Sequence, residues 1–165
     1  MRLADTEFPT APDWAWLDSA FPAGTGLRMG CTMAEVIRHC RGRLAYMATP
    51  YSKLVVNDDG RWDMGLSMDV EARTAVLARG LAMCNITAIS PILMACEICH
   101  SDYDGCLDPL DNAFWTAWCQ PLLSRSDVVV IPPMDGWDAS NGVWREVCWA
   151  LGGGVPVFQI EEGKM

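Results

Sequence analysis

From Arg43 onward the chain alternates short apolar runs with helix-length amphipathic segments, and this constrains its fold more than any other feature. Leu44-Ala-Tyr-Met-Ala48 is apolar and ends at Thr49-Pro50, and Thr87-Ala-Ile-Ser-Pro91 ends in proline again. Asp127-Val-Val-Val-Ile-Pro132 is the clearest strand, and Val155-Pro-Val-Phe-Gln-Ile160 closes the series. A helix is expected to open at Asp69, with Val70, Thr74, Leu77, Leu81 and Cys84 recurring at spacings of four and three. A second runs from about Asp111 to Leu123, and a third from Ser140 to Gly152-Gly-Gly154, while 93–112 reads as an acidic, cysteine-bearing loop. Apolar strands separated by helices bury both faces of a parallel sheet, so the expectation is an α/β fold.

Residues 1–30, with Pro9, Pro12, Trp14, Trp16, Pro22, Gly24 and Gly26, hold no sustained period. They read as an extension packed on the domain by its aromatics, or as partly disordered. Thr32 is suited to cap a short helix through Cys40. The division expected is therefore an N-terminal extension with a short helix over 1–42 and one domain over 43–165.

At 165 residues the chain is long enough for one well-buried core. Its net charge of −9 argues against a nucleic-acid polymer as partner, because phosphate neutralisation needs clustered Lys and Arg. Residues 127–165 have only Arg145 and Lys164 as bases, so a phosphate there would rest mainly on backbone amides at a helix start. The eight cysteines come without a secretory leader pattern at Met1–Asp5, and no apolar stretch is continuous enough to span a membrane. The expected setting is cytoplasmic, with reduced thiols and no membrane partner.

Sheets of this kind bind ligands beyond the C-terminal ends of their strands, which directs attention to the loops after Ala48, Ile89 and Ile131. Asp135-Gly-Trp-Asp-Ala-Ser-Asn-Gly-Val-Trp-Arg-Glu146 follows the last of these. Ser140 is a good N-cap, and Gly142 in the first turn lets a ligand approach the backbone. The pair makes either a cradle for a phosphate or ribose hydroxyl, or an ordinary capped helix. With Val143, Val147 and Ala150 as the core face, Arg145 points to solvent. Glu146 falls about 60° from Val143 at about 100° per residue. A carboxylate there either overlooks a pocket at the strand ends or is a half-exposed surface group. Tyr46 in the first strand and Tyr51 beyond its end offer hydroxyls that can hold a carboxylate and tune its ionisation, although most strand tyrosines simply pack.

Cys96-Glu-Ile-Cys99, His100 and Cys106 hold the atoms of a Cys3His zinc site, but His100 abuts Cys99 and no second knuckle pairs with the first. Buried or loop thiols are the expectation, and no metal is assigned. Asp102, Asp104, Asp108 and Asp111 lack an EF-hand's spacing and read as a solvated loop. Trp115 and Trp118 share a helix side, as core or as a subunit contact. Phosphate-loop, dinucleotide and nucleophile-elbow motifs are missing, and no cofactor is implied.

Taken together, Tyr46-Met-Ala-Thr-Pro-Tyr51, Ser90-Pro-Ile92, Ser126-Asp-Val-Val-Val130 and Gly136-Trp-Asp-Ala-Ser-Asn-Gly-Val-Trp-Arg-Glu146, followed by Ala150 and Val155-Pro-Val157, resemble the nucleoside 2-deoxyribosyltransferase-like superfamily. The closest likeness is to small phage and bacterial members with a Gly-Trp-x-x-Ser-x-Gly-x-x-x-Glu signature, over roughly residues 43–160. The resemblance implies a flavodoxin/Rossmann-like three-layer fold with a parallel sheet of four to five strands. It also implies attack on the anomeric carbon of a deoxyribose, in a nucleoside or nucleotide, by a glutamate nucleophile. Glu146 would take that role with Tyr46 positioning it, and Ser140 would contact a 5′-phosphate. Gly142, Gly136, Trp137, Asp138, Pro50, Tyr51 and Pro91 would form the substrate-binding surroundings. A homo-oligomer is implied as well.

One position departs from the pattern. Eight residues before Asp127, where active members carry an aspartate that serves the nucleobase, this chain has Cys119. The leaving group would have to be protonated from elsewhere, Asp138 or a loop residue. Three readings follow: N-glycosidic cleavage or exchange, binding of a nucleotide-derived ligand without turnover, and a structural or host-interaction protein using the Trp-rich N-terminus and acidic surface.

Overall fold

The computed structural model describes residues 7–22 and 24–163. Met1–Asp5 and Lys164, which enter the sequence reading above, lie outside them. The elements in order are α1 (Trp14–Ala20), β1 (Leu27–Cys31), α2 (Met33–Cys40), β2 (Leu44–Met47), α3 (Met64–Met83), β3 (Thr87–Ile89), α4 (Pro91–His100), α5 (Asn112–Arg125), β4 (Val128–Ile131), α6 (Asn141–Gly152) and β5 (Val157–Ile160).

The five strands form one sheet in the order β1-β5-β4-β2-β3, every pairing parallel. Strands β2 to β5 alone have the flavodoxin-like arrangement, and β1 fills its fifth position. All four residues of β4 are buried, as expected for a β-branched run at the centre of a sheet covered on both faces. Side chains alternate across the sheet. Tyr46, Ala48, Val129 and Ile131 meet Val143, Trp144, Val147 and Leu151 of α6 with Leu17 of α1 and Leu123 of α5. Ala45, Met47, Val128 and Val130 meet Val36 and Cys40 of α2 and Leu81 of α3 on the other face. The result is the three-layer α/β fold expected.

Three local expectations are corrected. Residues 27–31, read as part of an extension, are an edge strand. Leu27 and Cys31 face inward, and a bulge between Arg28 and Cys31 leaves the Gly30 amide to donate to Gln159 Oε1 at 2.9 Å. Gly30 sits at φ +67, where a side chain would be strained. Helix α3 begins five residues before Asp69. Asp63 caps it by accepting from the Leu66 amide at 2.9 Å, and Asp69 pairs with Arg73 at 3.0 Å. Residues 91–100 are a helix and not a loop, because Pro91 occupies the first turn, where its missing N–H costs nothing, behind a Ser90 cap.

The expected helix through Cys40 is present, with a capping box in which Thr32 and Glu35 satisfy each other's backbone amides. The aromatics of the N-terminal segment pack on α6. Trp14 stands edge-on to Trp137 and Trp144, and Trp144 Nε1 donates to the Pro9 carbonyl at 2.8 Å.

Candidate active site

The chain order reverses between β2 and β4, and such a switch point leaves a crevice beyond the carboxyl ends of the two strands. There the loop after β2, the turn into α6, and helices α4 and α5 enclose a cavity of about 800 Å3. Its wall includes Pro50, Tyr51, Gly136, Ser140, Gly142 and Glu146. Gly136 turns the chain at φ +83, and Ser140 caps α6 by accepting from the Val143 amide at 3.3 Å.

Glu146 lies one turn into α6, half-buried. Tyr46, wholly buried on β2, donates its hydroxyl to Glu146 Oε1 at 2.5 Å. This is the short end of the range for an O–H donating to a carboxylate. Alternation along β2 makes the contact possible: Tyr46 faces the α5/α6 layer, and its neighbours Ala45 and Met47 face the other. Burial pushes the Glu146 carboxyl up to about 7, with the Tyr46 hydrogen bond and the Arg145 charge pulling the other way. Burial, then the Glu146 charge, drives the Tyr46 hydroxyl far above its ordinary range. Cys119 of α5 completes the cluster. Burial and the nearby Glu146 push its thiol up to about 11. A carboxylate whose charge is held by one strong donor in a partly dry crevice can act as a nucleophile or stabilise a developing cation.

Other sequence-derived candidates lie elsewhere. Trp137 packs against Trp14, and the Asp138 carbonyl accepts from Trp14 Nε1 at 2.6 Å; neither residue stands in the cavity wall. Pro91 is buried in the first turn of α4 and is not in the wall either. Cys96 and Cys99 are buried thiols of α4, and Cys106 is exposed in the loop beyond it. Trp115, expected in the core or in a contact, stands in the wall of the cavity.

Among the wall residues not assigned to the site from sequence, four bear on its chemistry. Lys53 sits in the loop after β2 and donates to the Ala139 carbonyl at 2.7 Å, tying that loop to the start of α6. Counting charge only over residues 127–165 hid a base that lies 86 residues before its partner Ala139. Arg145 points outward, as expected, but outward is also the rim of the cavity. Thr49 is buried with its hydroxyl unpartnered among the described residues. Cys119 joins Glu146 in the wall, and its place eight residues before Asp127 was the available signal.

A family model described as a domain of unknown function (DUF1937) matches residues 43–162, from β2 to just past β5. No curated protein and no solved structure matches the chain.

Proposed function

We propose that this chain, which belongs to the DUF1937 family, cleaves or exchanges the N-glycosidic bond of a deoxyribonucleoside or its 5′-monophosphate, with Glu146 as nucleophile. The observation that carries the reading is Glu146, in the wall of a crevice at the sheet's switch point, held at 2.5 Å by the buried Tyr46 hydroxyl behind it. A glycosyl cation needs a nearby negative charge and then a covalent trap, and one carboxylate supplies both. The hydroxyl of Tyr46 fixes which Glu146 oxygen is engaged and leaves Oε2 free to attack. A cavity of about 800 Å3 is of the size that holds drug-sized ligands. Backbone amides at the start of α6, with Lys53 and Arg145 on the rim, suit a phosphate in a chain that is otherwise acidic. The resemblance to the nucleoside 2-deoxyribosyltransferase-like superfamily in Tyr46, Ser140, Gly142 and Glu146 supports the same assignment.

The test is a panel of deoxynucleosides and their 5′-monophosphates, with released base measured by chromatography. Release that disappears in Glu146→Ala is expected; release undiminished by that change, or none with any member, removes the mechanism. Cys119 favours a second reading, because a thiol stands where a nucleobase acid is expected. In that case a ligand raises the melting temperature and no base appears.

A further inference from the structure

A chain of hydrogen bonds outside the Glu146 cluster runs from the cavity wall to the surface. Tyr51 accepts from Trp62 Nε1 at 2.9 Å and shares a 2.9 Å hydrogen bond with Ser67 Oγ. Ser67, wholly buried on α3, shares another of 2.9 Å with His100 Nε2, and His100 Nδ1 lies 3.2 Å from Glu71 Oε2. A buried hydroxyl normally satisfies itself with one backbone carbonyl. Ser67 instead joins a tyrosine in the cavity wall to an imidazole whose side chain is 17% exposed. Its members come from the loop after β2, from α3 and from the end of α4, and replacing any one of them breaks the line.

The donors can be assigned in two consistent ways. With neutral His100, Nδ1–H donates to Glu71, Ser67 donates to Nε2 and Tyr51 donates to Ser67. With imidazolium, Nε2–H donates to Ser67, Ser67 donates to Tyr51, and the Tyr51 proton is left free of the chain. Adding one proton at His100 therefore reverses both Ser67 links and frees the Tyr51 hydroxyl proton from the chain.

Among the described residues, no carboxyl besides Glu146 lines the cavity to protonate a departing nucleobase. Its ionisable lining residues are Tyr51, Lys53, Cys99, Cys119, Arg145 and Glu146, and Asp138 is not among them. Glu146 is committed to attack, and thiols are weak donors. Ile92, Ala95 and Cys99 of α4, the helix that carries His100, line the cavity along with Tyr51.

We propose that Tyr51 is the proton donor to the leaving base and that Ser67 and His100 are the path that supplies it. The inference rests on the glycosidic reading above. The C1′–N bond breaks with its electron pair going to the base nitrogen, while a Glu146 oxygen forms the new bond to C1′. The Tyr51 proton passes to the base, the Ser67 proton to Tyr51 and the Nε2 proton to Ser67. His100 is left neutral, still donating Nδ1–H to Glu71, and the line resets when a water proton entering the emptied cavity passes back through Tyr51 and Ser67 to Nε2. From α3 the charged group facing His100 is Glu71. Trp62, before α3, presents a neutral ring 6.4 Å away, and Cys96 on α4 lies 3.9 Å from Ser67 Oγ.

The experiment compares wild type, Tyr51→Phe, His100→Gln, Lys53→Met and Glu146→Gln on a purine deoxynucleoside, its 5′-monophosphate and 4-nitrophenyl 2-deoxyriboside, whose leaving group needs no proton. Tyr51→Phe should lose about 100-fold or more on base release, the usual worth of a general acid, and keep most of its rate on the nitrophenyl substrate. His100→Gln should slow base release while leaving the rate on the nitrophenyl substrate unchanged. Equal losses on all substrates would mean a structural role only, and a leaving-group-dependent loss confined to Lys53→Met would move the acid there; either overturns the proposal. Activity that is absent in wild type or survives Glu146→Gln overturns the glycosidic reading itself, and with it this one. Loss in Glu146→Gln with unaltered Tyr51→Phe and His100→Gln overturns this one alone.

Discussion

At the scale of single residues, the site stands out by the cost of its own burial. Glu146 titrates at about 7 in the folded protein, against an ordinary 4.5. The native state therefore holds this proton more tightly than the unfolded chain does. The stability that follows is complete below about pH 4.5 and is lost as pH rises through about 7. Glu146→Gln cannot ionise. Its melting temperature should rise relative to wild type across that window and level off above it, a difference read by thermal denaturation at several pH values. A constant difference would mean that the carboxylate is not destabilised by its surroundings. Tyr46→Phe removes the hydrogen bond that favours the charged form, so the acidic limb of any base-release profile should move to higher pH than in wild type. Thiol chemistry gives a third check. Burial and Glu146 hold the Cys119 thiol up at about 11, whereas Cys106 is exposed. Iodoacetamide near pH 7.5 should modify Cys106 first, leaving Cys119 unmodified until strongly alkaline pH; mass spectrometry of digested peptides would report the order.

At the scale of elements, substitution can separate the capping of α6 from the phosphate contact proposed for its start. Ser140→Ala removes the cap and should cost about 1 kcal/mol of stability. Ser140→Asp keeps an equally good cap but brings a negative charge to the cavity wall. Stability should survive in the aspartate variant while the thermal shift given by a 5′-monophosphate disappears; retention of that shift would take the phosphate away from this helix start. The orientation of α6 was legible because its apolar positions form one stripe, which put Glu146 at the edge of the buried face and left pocket and surface both open. Helix α4 was not. Pro91, Ile92, Leu93, Met94, Ala95, Cys96, Ile98 and Cys99 leave hardly a polar position in it, and a helix apolar on nearly all sides has no stripe to read. The start of α3 was misplaced because Asp63 and Asp69 are both plausible caps, and the choice depends on tertiary contacts, including those that bury Ser67. Strand β1 was missed because Leu-Arg-Met-Gly-Cys combines an exposed arginine with a left-handed glycine, as edge strands tolerate and sequence patterns do not. The Tyr51–Ser67–His100 line was out of reach for a related reason: it joins three segments that only the fold brings together.

For the whole molecule, the question is what residues 1–42 contribute, since the DUF1937 match begins at 43. Strand β5 is paired on both sides, by β4 and by β1, and all four of its residues are buried. Without β1 its apolar backbone edge is exposed, the situation that promotes edge-to-edge association. Leu17, Phe21 and Leu27 leave the α6 face of the sheet, and Val36 and Cys40 leave the other. At about 2 kcal/mol for each large side chain, the loss of Leu17, Phe21, Leu27 and Val36 rivals the total stability of many domains, about 5–15 kcal/mol. A chain of residues 43–165 should thus aggregate or melt far below the full chain, by size-exclusion chromatography and circular dichroism. A monomeric fragment that kept its fold would show that β1 is dispensable. The same contacts bear on a host-interaction role for the N-terminus. Deleting residues 1–30 removes α1 and most of β1, and with them the packing of Trp14 on Trp144 in the helix that carries Glu146. Such a deletion should weaken any ligand binding at the cavity together with any partner capture. Substituting surface positions of α1, such as Asp18, tests capture while the fold that holds Glu146 stays in place. If the full chain with Asp18→Lys loses a partner but keeps its ligand-induced thermal shift, the N-terminus is an interaction surface as well as a part of the sheet.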